Sequence, residues 1–160
     1  MFLDVNNVLM NLDIKMQTFL PYDSFIQSAK CLDMKRLSKQ RVECYQILNI
    51  LTQNQKSWQN HPAVLMWKGY IPSLVTYGID ICNEWISRGY KDTCKEKILK
   101  IHETYVKDNK EFTNPKWLGN LEFHNSHKSN LLRKNFDYYN QFKWNVKDNL
   151  SYFWPTKEGY

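Results

Sequence analysis

Leu32-Asp33-Met34-Lys35-Arg36-Leu37-Ser38-Lys39-Gln40-Arg41-Val42-Glu43 is the stretch on which the reading of this chain turns. Lys35, Arg36, Lys39 and Arg41 are basic, and a carboxylate closes the run. The residues that follow, Cys44 to Leu51, are mostly apolar at helical spacing, so one helix is predicted over Lys35–Thr52. On a 3.6-residue helix Leu37, Cys44, Leu48 and Leu51 share a stripe that should face a core. Arg36, Lys39, Gln40 and Glu43 stand at i, i+3, i+4 and i+7 and share a different face. Arg41 falls inside the apolar stripe and needs a partner, because an unpaired buried charge is costly; Glu84 is a candidate. The polar face has two readings. One is a solvated charged surface with a structural salt bridge. The other is a phosphate-gripping surface with an acid/base group set into it.

Outward from this helix the pattern stays helical. Ile71, Leu74, Val75, Gly78, Ile79, Cys82, Trp85 and Ile86 repeat at helical spacing, which predicts a core helix over Ile71–Arg88. Gly78 inside that stripe suggests close approach of another helix, and Gly89 suits a C-terminal stop. A second amphipathic helix is predicted over Thr93–Asp108, with Cys94, Ile98, Ile101 and Tyr105 inward. Asp23 or Ser24 can cap a short helix through Lys30, and Pro62 suits a first helical turn after His61. Leu121–Lys134 should contain a short helix carrying His124, His127, Lys128, Arg133 and Lys134. The tail from Asn135 to Tyr160 is rich in aromatic residues, expected to pack over the helices. No segment alternates with period two for long. The fold class is therefore all-α: a compact single-domain helical bundle with an aromatic-rich C-terminal tail. Residues 1–15 are read as an N-terminal extension and 16–160 as the domain, with Met16 a candidate start.

The chain has 160 residues, enough for one domain with a core. Charged residues make up 24% and hydrophobic ones 42%, a globular balance. No apolar run reaches membrane-spanning length, and Asp4 and Asp13 near the start do not suit a signal peptide. A cytoplasmic rather than secreted location is expected, together with a monomer and no membrane contact. Cys31, Cys44, Cys82 and Cys94 form no CxxC pair and read as reduced core thiols. A net charge of +6 favours an anionic partner. His124 and His127 stand at i, i+3, where two imidazoles could share a metal, yet no cysteine or acid with zinc-like spacing lies nearby. DNA contact or a structural role suits them better, and neither a metal nor a cofactor is expected. No P-loop, dinucleotide, HExxH or GxSxG motif is present.

The segments Met16-Gln-Thr-Phe-Leu-Pro-Tyr22, Leu32 to Glu43, Asn60 to Tyr70, Glu84 to Tyr90, and His124 to Lys134, with Tyr152-Phe-Trp-Pro155, resemble the pyrimidine-dimer DNA glycosylases related to phage endonuclease V. The likeness is to a bacterial and viral branch and runs from about Met16 to Pro155. The resemblance implies a compact all-α enzyme on double-stranded DNA. Its N-terminal amine would attack the anomeric carbon, and the resulting imine would permit strand cleavage by β-elimination. Carried over, Glu43 is the catalytic carboxylate and Met16 supplies the amine. Arg36, Lys39, Gln40 and Arg41, with His61, His127, Lys128, Arg133 and Lys134, form the DNA-binding set. Two departures stand out. Val42 separates Arg41 from Glu43 where the family has Arg and Glu adjacent, and Met16 precedes the bulky Gln17. The alternative is a non-catalytic nucleic-acid-binding or virion-associated protein on the same fold.

Overall fold

The computed structural model describes residues 16–53, 55–108 and 112–155; the expected extension over 1–15 lies outside them. Among the described residues seven α-helices follow one another: α1 (Phe25–Cys31), α2 (Met34–Thr52), α3 (Pro62–Leu65), α4 (Ile71–Ser87), α5 (Cys94–Asp108), α6 (Leu121–Lys134) and α7 (Phe136–Tyr139). A 3₁₀ turn over Asn140–Phe142 ends the helical part, and no strand occurs among the described residues. The all-α reading holds. The starts are set by local chemistry: the Ser24 hydroxyl caps α1, the His61 imidazole with Pro62 opens α3, and the Asn120 amide caps α6. The Leu121–Lys134 stretch is helical throughout rather than only in part.

Helix α2 is the axis of the molecule, packed against α4 and α5. Leu37, Cys44 and Leu48 are fully buried as their spacing required, and Leu51 packs against the core from its rim. Gly78 permits the close approach. A Cβ placed there would stand 2.5 Å from Cys44 Sγ and 3.0 Å from Ile98 Cδ1, so α2, α4 and α5 meet at that one missing side chain. Ile86, expected inward, is exposed, because α4 outruns the core in its last turn. All four cysteines are free and buried, and the Cys31 thiol is pushed up to about 12, chiefly by burial. No described helix is long and apolar enough to cross a membrane.

The aromatic tail closes the other side. Trp144 stacks on Tyr139 and Phe142, and its indole N–H donates to the Tyr22 hydroxyl at 2.8 Å. Farther on, the chain runs back along α6. Leu150 N donates to Ser129 Oγ, Phe153 N donates to Ser126 Oγ, and the Arg133 guanidinium donates to the carbonyls of Asp148 and Leu150.

Arg41 is largely buried in the stripe, its side chain 12% exposed, but its partner is Asp92 rather than Glu84. Arg41 Nη1 donates to Asp92 Oδ1 at 2.7 Å, and the guanidinium lies 4.4 Å over the Trp85 ring. Glu84 instead accepts from Arg88 Nε, one turn away on its own helix. Asp92 also accepts from the backbone of Cys94 and Lys95, so one carboxylate caps α5 and ties it to α2. Although burial opposes ionisation, the hydrogen bonds from Arg41 and these two amides hold Asp92 below the usual carboxylate range. Arg41→Ala is expected to cost on the order of 3 kcal/mol, because it leaves a wholly buried carboxylate without its counter-ion. Denaturant unfolding checks it; a loss under about 1 kcal/mol would show that the two backbone amides suffice.

Candidate active site

The face of α2 that carries Arg36, Lys39, Gln40 and Glu43 is not open to solvent along its length. The extended segment from Met16 to Leu20 lies across it, and Gln17, Thr18, Phe19 and Leu20 are all buried. An extended segment cannot satisfy its own backbone groups, so other elements must. Gln40 does most of this. Its Oε1 accepts from Phe19 N at 3.0 Å and from the Tyr77 hydroxyl at 2.6 Å, and its Nε2 donates to Gln17 O at 2.6 Å and to Glu43 Oε2 at 2.8 Å. All four bonding positions of the amide are used. Gln40, expected at the DNA face, is therefore a fully buried clamp.

Helix α6 holds the other end of the segment. His127 Nδ1 accepts from Leu20 N at 2.9 Å, while His124 Nδ1 donates to Leu20 O at 2.7 Å and its Nε2 accepts from Gly119 N. The i, i+3 histidines thus bracket one backbone residue. Burial drives His127 down to about 3 and lowers His124, so both stay neutral near pH 7. His127, expected to contact DNA, is fully buried and cannot reach a phosphate without opening the core.

Pinning this segment creates the environment of Glu43, which is itself nearly inaccessible. Burial raises its carboxyl from the ordinary range to about 7, against donors that favour the ionised form: Lys39, the Gln17 backbone N–H and the Gln40 amide. Lys39 Nζ stands 3.6 Å from Glu43 Oε1, its own side chain largely exposed. Glu43 opens onto a cavity of about 520 Å³. It is lined by Lys39, Glu43, Gln46, Asn49 and Ile50 of α2, by Gln55, Ser57 and Trp58 of the connection that follows, and by Met16. The geometry brings together two residues that the sequence pairs only through a family likeness: Met16, and a carboxylate able to give or take a proton near neutral pH.

Cations gather on the same side. Lys134, exposed at the end of α6, is lowered by partial desolvation and then by the neighbouring charges of Arg36, Lys39 and Arg133; Glu43 is close enough to oppose this. Arg36 is ion-paired with Asp33 at 2.8 Å, and that carboxylate also accepts from the Tyr139 hydroxyl. The remaining expected DNA contacts are committed elsewhere. The Arg41 head is shared between Asp92 and Trp85, Lys128 lies 5.1 Å over the Tyr22 ring, and His61 accepts from Ala63 N as a helix cap. Arg133 holds the tail. Gln17, Trp58 and Tyr77 were missed in the sequence. For Tyr77 a signal existed, since a phenol on the apolar face of a core helix must find a hydrogen-bond partner.

The raised pKa of Glu43 has a stability signature. A carboxyl higher in the folded than in the unfolded state contributes stability below pH 4.5 that is lost as pH rises through about 7. The melting temperature of Glu43→Gln minus that of the wild type should therefore climb between pH 5 and pH 9. A difference independent of pH would show that the carboxyl titrates normally.

The family model described as pyrimidine dimer DNA glycosylase matches residues 16–98, from the pinned segment through α2 and α4 into α5. Comparison with curated proteins gave no match, and neither did comparison with solved structures. The matched part is the part that builds the Glu43 cavity, and it spans more than half of the chain: the protein belongs to the pyrimidine dimer DNA glycosylase family.

Proposed function

We propose that this protein is a DNA glycosylase with associated abasic-site lyase activity, acting on pyrimidine dimers in duplex DNA through an amine–imine intermediate. The observation that carries the proposal is the juxtaposition of Met16 with a buried carboxylate titrating near 7 in one open cavity. In a polypeptide beginning at Met16, the nucleophile would be that residue's α-amine. An α-amine titrates near 7.7–8.0, so a useful fraction is uncharged at neutral pH, whereas an ordinary lysine is almost wholly protonated.

The chemistry then runs as follows. The amine lone pair attacks C1′ of the damaged nucleotide, and the glycosidic bond breaks with its electron pair leaving on the base. A proton lost from the attacking nitrogen passes to Glu43 as carboxylate. Opening of the sugar ring gives the imine, with the ring oxygen taking up a proton. Removal of a C2′ proton then expels the 3′ phosphate by β-elimination, and water releases the protein. An acid/base group with a midpoint near 7 suits both directions of proton transfer. Lys39 and Lys134, with Arg36 behind them, supply positive charge for the flanking phosphates. The protein would act as a monomer, in the cytoplasm of its cell or host.

Borohydride trapping on abasic duplex DNA tests this, with one form starting at Met1 and one at Met16. The expected result is a covalent adduct in the short form only, mapped by mass spectrometry to the Met16 α-amine and strongly reduced by Glu43→Gln. Equal trapping of both forms on a lysine such as Lys39 would assign a different amine. No adduct in either form would leave a DNA-binding protein without catalysis on the same fold.

A further inference from the structure

Trp58 has an unusual backbone. It lies in the polar connection between α2 and α3 with φ of 72°, the left-handed region that bulky L residues rarely occupy. Strain of this kind persists where the surroundings fix it, and it clusters at ligand-binding sites. The indole is half-buried and borders the Glu43 cavity, with the His61 ring 6.5 Å away and tilted against it. From α2 the same cavity is lined by Glu43, Gln46 and Ile50, which share one stripe, with Asn49 beside them. The cavity thus offers an aromatic face, an aliphatic side chain, and the carboxamides of Gln46, Asn49 and Gln55, which can each donate and accept a hydrogen bond. Its charged groups are the Glu43 carboxylate, which the proposed chemistry already uses, and the Lys39 ammonium 3.6 Å from it. About 520 Å³ is in the range of small-molecule sites. A flat heteroaromatic ring with a hydrogen-bonding edge fits this aromatic and carboxamide lining.

We infer that Trp58 is the stacking residue of the site: it receives one nucleobase drawn out of the duplex, whose edge is read by Gln46 and Asn49. The inference rests on the glycosylase reading above and adds the residues that recognise the base. Two bases could occupy the cavity, the damaged pyrimidine or the base opposite it, and both share the chemistry of an unpaired planar ring.

The test uses equilibrium binding by the full chain to two non-cleavable duplexes. One carries 2-aminopurine opposite a tetrahydrofuran abasic site; the other carries a fluorescent cytosine analogue at the lesion position. An extrahelical base is bright unless it stacks. At saturation, the Trp58→Ala complex should emit several-fold more than the wild-type complex on one of the two duplexes, and that duplex identifies the occupant. Trp58→Phe, which keeps an aromatic face, should remain close to wild type. Affinity for that duplex should fall in the alanine variant by on the order of ten- to a hundredfold, as expected for losing one base-stacking aromatic. Equal emission and affinity in the wild type and Trp58→Ala, with binding intact, would overturn the inference alone. A wild-type protein that binds neither lesion duplex better than undamaged DNA would overturn the glycosylase reading, and the inference with it.

Discussion

The amide of Gln40 holds the arrangement together. An extended five-residue segment is laid over the polar face of the central helix, and its backbone groups must be satisfied in a place that water does not reach. One side chain bonds Phe19, Gln17, Tyr77 and Glu43 at once, and two histidines of α6 finish the task at Leu20. Removing any one of these partners leaves buried polar groups unpaired, which costs more than the bond itself contributes. The segment is therefore fixed in place, and with it the position of Met16 beside Glu43.

The same clamp explains why Glu43 is unusual. Its neighbours would ordinarily favour the carboxylate: a lysine one turn back, an amide N–H and a backbone N–H. Burial under the pinned segment outweighs them and lifts the group to about 7. A glutamate on an open helix face next to Lys39 would stay ionised at every physiological pH and could not donate a proton. The fold thus turns an ordinary residue on a basic helix into an acid/base group by covering it.

The helices were legible in the sequence because periodicity is local. The span of α2, the inward stripe of α4 up to its last turn, the glycine gap at Gly78 and the near-burial of Arg41 all follow from spacing within one element. What stayed hidden was long-range pairing. Gln40 read as a solvated or phosphate-facing amide because the backbone it clamps lies 21 residues upstream, and His127 meets Leu20 across 107. The partner of Arg41 is Asp92 rather than Glu84, since the turn after α4 carries Asp92 back over α2 while Glu84 is taken by Arg88. The candidate site was only half visible. Glu43 and Met16 could be named through a family likeness, but the part of the lining that holds Trp58 is built by an irregular connection that has no periodic signal.

The most direct test of the central claim, that the pinned segment converts Glu43 into a group poised near neutral pH, is a carbon-13 carboxyl NMR titration assigned by comparison with Glu43→Gln. A midpoint near 7 is required if burial dominates the surrounding donors. A midpoint near the ordinary 4.5 would mean that the carboxylate is solvated or fully stabilised by Lys39 and Gln40, and that the segment from Met16 to Leu20 does not cover it.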